Sequence, residues 1–103
     1  MLHPIFREQL PSVVNLLKKH KIKSAYAFGS VVNGKFDEQS DIDLLVDFED
    51  GVGLLERGEL WWDLYDKLKD IFKREVDLLI GTSLKNPYFI EDINEKKQLI
   101  YAA

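Results

Sequence analysis

Cysteine is absent from the 103 residues, which excludes both a disulfide framework and a thiolate zinc site. That absence fits a reducing, cytoplasmic setting. Proline is scarce (three residues) and so is glycine (six), and the chain holds no linker-like or low-complexity stretch. It also lacks an apolar run near the roughly 18 residues that a membrane-spanning helix needs. The segment from Met1 to Arg7 lacks the basic-then-apolar order of a secretory signal. Positive charge is not in excess either, the formal net charge being -4. Broad nucleic-acid binding requires clustered Lys and Arg to neutralise phosphates, so it is not expected. The one local cluster, Lys18, Lys19, His20, Lys21 and Lys23, reads as a solvated helix end whose charges suit the C-terminal dipole.

What is present is enough for a core: 46% of residues are apolar and 12% aromatic, which argues against disorder and for one domain over residues 1–103. Phe6, Leu10, Val13, Val14 and Leu17 recur at helical spacing and predict an amphipathic helix ending near His20. Pro11 either kinks that helix or marks its start. Ser24–Phe28 is short and apolar and runs into Gly29-Ser30, as a buried strand entering a tight turn does. A short helix or loop should follow over 31–40. From Leu54 to Phe72 a second helix is expected, with Trp61, Leu64, Tyr65, Leu68, Ile71 and Phe72 on one stripe and Trp62 off it, exposed. Glu75–Ile80 reads as a strand closed by Gly81. Tyr88–Asn94 reads as a short helix anchored in part by Tyr88 and Phe89, and 98–101 as an edge strand or helical end. Helices alternating with strands predict an α/β (α+β) domain, one sheet with helices packed on it.

The chemistry gathers on two strands. Along Asp41–Phe48, Ile42, Leu44 and Val46 fall on one face and Asp41, Asp43, Leu45 and Asp47 on the other. Two residues apart on a strand, Asp41 and Asp43 place Cα atoms about 7 Å apart with both carboxylates on the same side. That spacing suits one divalent cation, or a pair roughly 3.5–4 Å apart. Magnesium is the natural choice, since it takes hard oxygen ligands and keeps positions open for phosphate oxygens. Asp77 stands out from the apolar strand Val76–Ile80 and joins the pair if the two strands are neighbours. Gly29-Ser30, directly after a strand, offers close backbone approach, a hydroxyl and N–H groups, which together make a small anion site. His3 and His20 have no partner at ligand spacing and read as structural or solvated.

The stretch Phe28–Phe48, FGSVVNGKFDEQSDIDLLVDF, resembles the signature of the DNA polymerase β-like nucleotidyltransferase superfamily. It is most similar to the minimal nucleotidyltransferases, the MNT proteins often encoded beside HEPN-domain partners. Gly29, Ser30, Gly34, Ser40, Asp41 and Asp43 match that pattern. The resemblance implies a polymerase β-like fold with nucleotide phosphates held by Gly29 and Ser30, with Ser40 also in the nucleotide site. It implies Mg2+ on Asp41 and Asp43, with Asp77 as the third acidic residue, and ATP as substrate. It further implies AMP transfer to a tyrosine of a HEPN toxin, the chain serving as antitoxin. Many relatives carry Arg before the second glycine, where this chain has Asn33; a basic phosphate contact is then either missing or supplied by Lys35. Two other readings stand beside the enzyme: a binder that neutralises its partner with a vestigial nucleotide site, and transfer to a small molecule such as an aminoglycoside. Whether the chain also forms a homo-oligomer is open.

Overall fold

A computed structural model describes residues 2–103. Helix α1 runs Pro4–Lys19, strand β1 Ile22–Phe28, the one-turn helix α2 Ser30–Asn33 and strand β2 Ile42–Phe48. Helix α3 follows over Leu54–Phe72, strand β3 over Val76–Ile80, a 3-10 turn over Gly81–Ser83, helix α4 over Pro87–Lys96 and strand β4 over Gln98–Ala102. The strands form one sheet in the order β3-β2-β1-β4. β1 is antiparallel to β2 and to β4, while β2 and β3 are parallel. A parallel pair needs a crossover, and α3 supplies it.

The sheet has two unlike faces. On one, Ala25, Ala27, Ile42, Leu44, Val46 and Leu78 meet Phe6, Val13 and Leu17 of α1 and Leu64, Leu68 and Phe72 of α3 in a single buried cluster. At about 25 cal/mol per Å² of apolar area removed from water, this layer is the main source of stability. The other face carries Phe28, Asp43, Leu45 and Asp77 and lies under α4. There Phe89 meets Phe28 edge-on at 6.5 Å, while Leu45, Ile90 and Ile93 line a common cavity. One face therefore carries the main core, and the other carries the acidic side chains beside the packing of α4.

Some expectations are overturned and others are decided between. Pro11 neither starts nor ends α1, which begins at Pro4 with the His3 imidazole accepting from Ile5 N–H at 3.2 Å as its cap. Tyr88 does not anchor α4, being 83% exposed; Phe89, 40% exposed, still packs edge-on against Phe28, and Ile93 is the buried residue of the helix. On a helix, 90 and 93 share a face that 88 does not. Residues 98–101 form an edge strand beside β1. Lys21 pairs with Glu56 at 2.7 Å and Lys23 with Asp50 at 3.5 Å. His20 is buried, with Nδ1 2.7 Å from the Leu16 carbonyl and Nε2 2.6 Å from Asp63, so it fastens the end of α1 to α3.

Candidate functional site

The site begins where β1 ends. Antiparallel pairing sets Phe28 opposite Asp43, and parallel pairing sets Asp43 beside Asp77. Paired residues on adjacent strands point to the same side with Cβ atoms about 5 Å apart. Phe28, Asp43 and Asp77 thus form a row across the sheet, and Asp41 lies just before β2. The strand adjacency on which Asp77 depended is therefore present. Asp41 and Asp77 are exposed and Asp43 is half-buried.

Gly29 is fixed by this row. Its φ of 73° is in the left-handed region, and a Cβ there would drive into the Asp43 carboxylate. Only glycine lets the backbone come so close to Asp43 while turning into α2. Ser30 opens α2, whose first turn closes through Val32 and Asn33 N–H groups donating to the Gly29 carbonyl at 3.0 and 3.1 Å. Gly34, with φ 83°, ends it. The chain then crosses to Asp41 through a loop held from two sides. Within it, Ser40 Oγ accepts from Asp37 N–H at 3.0 Å and donates to Asp37 Oδ1 at 3.1 Å. From outside, Arg74 donates to the Asp37 and Ser40 carbonyls at 3.1 and 2.9 Å, its guanidinium 4.4 Å from the Phe36 ring centre. Ser40 thereby closes the turn that delivers Asp41.

Electrostatically the row is short of positive charge. Among the described residues no hydrogen bond or ion pair reaches the carboxylates of Asp41, Asp43 or Asp77. Burial, then the negative charges of Asp77 and Asp41, push the Asp43 carboxyl up to about 6. Burial, then Asp41 and Glu75, raise the carboxyl of Asp77. The described side chains do not converge into a three-ligand metal cluster; carboxylates that repel one another have no reason to close up unaided. Their chemistry still fits a hard divalent cation: oxygen donors only, no competing cationic partner, and a pKa that a cation would lower.

Sequence reasoning missed Arg74, which holds the loop before Asp41. Its only signal was a basic residue just ahead of an acid-bearing strand. Lys35 donates its backbone N–H to Asn33 Oδ1 at 2.9 Å. The cation that shares a cavity with Asn33 and Gly29 is instead Lys96 of α4. A larger cavity, about 360 Å³, lies toward the far ends of α3 and β3, between Arg57, Trp61, Trp62 and Thr82. It holds none of the three carboxylates.

A glycine turn set against a row of carboxylates on a mixed sheet suits metal-assisted chemistry on phosphates. The polymerase beta nucleotidyltransferase model matches residues 12–103, and the chain belongs to that family. It is 40% identical over 86 residues to a Methanocaldococcus jannaschii protein named "Putative protein adenylyltransferase", spanning 84% of this chain and 82% of the relative. It is 33% identical over 84 residues to the protein adenylyltransferase MntA of Thermococcus cleftensis, spanning 77% of this chain and 81% of the relative. Among solved structures, one described as a "putative minimal nucleotidyltransferase" superposes with a TM-score of 0.70 at 30% identity, covering 95% of both chains. The fold is shared as well with the MNT antitoxin complexed to a tri-AMPylated HEPN toxin of Shewanella oneidensis. There the TM-score is 0.65 and the identity 21%, over 94% of this chain and 72% of that one.

Proposed function

We propose that this chain is a magnesium-dependent adenylyltransferase. It moves AMP from ATP to a hydroxyl, a tyrosine hydroxyl by preference, of a partner HEPN-domain toxin and thereby acts as its cytoplasmic antitoxin. The observation that carries this reading is the row Asp43–Asp77, with Asp41 beside it, set against the Gly29-Ser30 turn. The adenylyltransferase names of the relatives and the toxin–antitoxin setting of the structural neighbours support the choice of donor and acceptor.

In this scheme Asp41 and Asp43, with Asp77 beside them, would hold the metal, which would supply charge neutralisation at the triphosphate. Gly29 lets the phosphates approach the backbone, Ser30 offers its hydroxyl to them, and Ser40 fixes the turn at the nucleotide's edge. The acceptor oxygen bonds to the α-phosphorus as the bond to the bridging oxygen of pyrophosphate breaks. Asp77, exposed at the end of the row, either joins in binding the metal or takes the hydroxyl proton. A second reading, neutralisation by occlusion with feeble turnover, draws on the neutral Asn33 beside Gly29.

The test is label transfer. The chain is incubated with a HEPN partner, Mg2+ and ATP labelled at the α-phosphate, as wild type and as Asp41→Ala/Asp43→Ala. Label on a partner tyrosine that disappears in the double variant is the expected result. Neutralisation that survives the double substitution undiminished, with no label, sinks the enzyme and leaves the binder.

A further inference from the structure

The four tyrosines of the chain are unequally free to react. Tyr26 lies in the inner strand β1 beneath Lys97, whose Nζ is 4.1 Å from its ring centre. Tyr65 stacks on Trp61 and donates its hydroxyl to Glu75. Tyr101 packs against the core from β4. Tyr88 is 83% exposed, and among the described residues no hydrogen bond or ring contact holds its phenol. Resting on the function proposed above, we infer that the chain transfers AMP from ATP to its own Tyr88 when no partner hydroxyl fills the site.

Placement is the first argument. Phe89, the next residue, meets Phe28 edge-on at 6.5 Å, and Phe28 is the cross-strand partner of Asp43. The first turn of α4 therefore lies beside the carboxylate row. Residues four apart share a helix face, so Tyr88 shares one with Asp92, which lines a common cavity with Gly29. The phenol thus stands on the side of α4 that borders the Gly29 turn. Asn86 Oδ1 accepts from the Tyr88 and Phe89 N–H groups at 3.0 and 3.3 Å. This cap fixes the backbone of the first turn while the phenol stays free to swing.

Reactivity is the second argument. A nucleophile tethered beside the site avoids the entropy cost of a bimolecular encounter. The step is the one already assigned to the row, with a different acceptor. Tyr88 Oη bonds to the α-phosphorus as the bond to the bridging oxygen breaks. Pyrophosphate leaves with that electron pair, and the phenolic proton passes to Asp77 or to water. A HEPN hydroxyl must enter along the same line, so it and Tyr88 compete for one AMP group.

Intact-mass spectrometry and peptide mapping test this after incubation with Mg2+ and ATP labelled at the α-phosphate, with and without a HEPN partner. Alone, the chain should gain one AMP on the peptide that holds Tyr88, at a first-order rate independent of protein concentration. Tyr88→Phe, at an exposed position that leaves the fold intact, should abolish this label and still modify the partner. Asp41→Ala/Asp43→Ala should lose both labels, and added partner should slow the labelling of Tyr88. Label on the partner with none on the chain alone would overturn the inference and spare the proposed function. Label elsewhere on the chain that Tyr88→Phe leaves unchanged, or a rate that rises with protein concentration, would also overturn it. No label in either incubation removes both.

Discussion

Asp43 is where folding and the proposed function conflict most directly. Its carboxyl is pushed up to about 6 by burial and by two like charges, so the folded chain holds that proton more tightly than the unfolded one. The sign follows: the stability this proton confers is complete below the ordinary carboxylate range and is lost as pH rises from about 4 through about 6. In metal-free buffer the melting temperature should therefore fall across that interval, and Asp43→Asn should flatten the fall while raising the melting temperature at pH 7. A wild-type melting temperature that climbs over the same interval contradicts this. Gly29 is constrained by the same side chain. Gly29→Ala places a methyl group against the carboxylate at a positive φ and should cost about 1–3 kcal/mol, read by denaturant titration, with nucleotide binding lost as well. Of these two residues, the sequence shows Asp43 through strand alternation. It shows Gly29 as part of a turn suited to an anion but not its contact with Asp43, which exists only once β1 and β2 pair.

At the scale of elements, strong periodicity was readable and loosely attached pieces were not. α3 spans Leu54–Phe72 as its stripe predicts, because Leu64, Leu68 and Phe72 repeat at the helical period and are buried together. β1 starts at Ile22, two residues earlier than its apolar run suggests, since its pairing with Phe48 is a tertiary fact. At α4 the expectation fails for Tyr88 for a similar reason: an aromatic at a helix start promises burial, but the sheet beneath receives Phe89 and Ile93. The 34–40 loop shows no period at all and is ordered by Arg74 from a distant part of the chain. Arg74→Ala removes two charge-assisted bonds to carbonyls and should cost about 1–3 kcal/mol. It should also reduce AMP transfer more than Asp37→Ala does, as measured by initial rates at saturating ATP. Equal rates for wild type and Arg74→Ala would show that the loop needs no such clamp.

For the whole molecule, the two faces of the sheet divide the labour, and a third surface remains. Leu54, Leu55 and Trp62 are 86%, 81% and 63% exposed, beside the cavity of about 360 Å³ and away from the carboxylate row. The exposure of Trp62 follows from its position off the α3 stripe; the company of Leu54 and Leu55 does not, because the helix start gives them no partner. A partner protein that must present a hydroxyl to the site needs a separate place to hold on, and clustered apolar side chains mark such places. Trp62→Glu should weaken the complex with the HEPN partner in a pull-down with purified proteins. Loss of its edge-on contacts with Trp61 and Tyr65 should cost about 1 kcal/mol of stability, and ATP-analogue affinity should stay unchanged. Undiminished partner binding would place the interface elsewhere. The fold class and the acidic pair were legible in the chain itself. The partner surface was legible only in part, since exposure is decided by what packs against each residue.

The central claim is that three carboxylates and a glycine turn make one divalent-metal nucleotide site. Titration of Mn2+ followed by electron paramagnetic resonance, with and without the α,β-methylene analogue of ATP, tests it most directly. Wild type should bind the metal far more tightly when the nucleotide is present, and Asp43→Asn should abolish that gain. Tight binding of metal and nucleotide by Asp43→Asn, equal to wild type, would contradict the account.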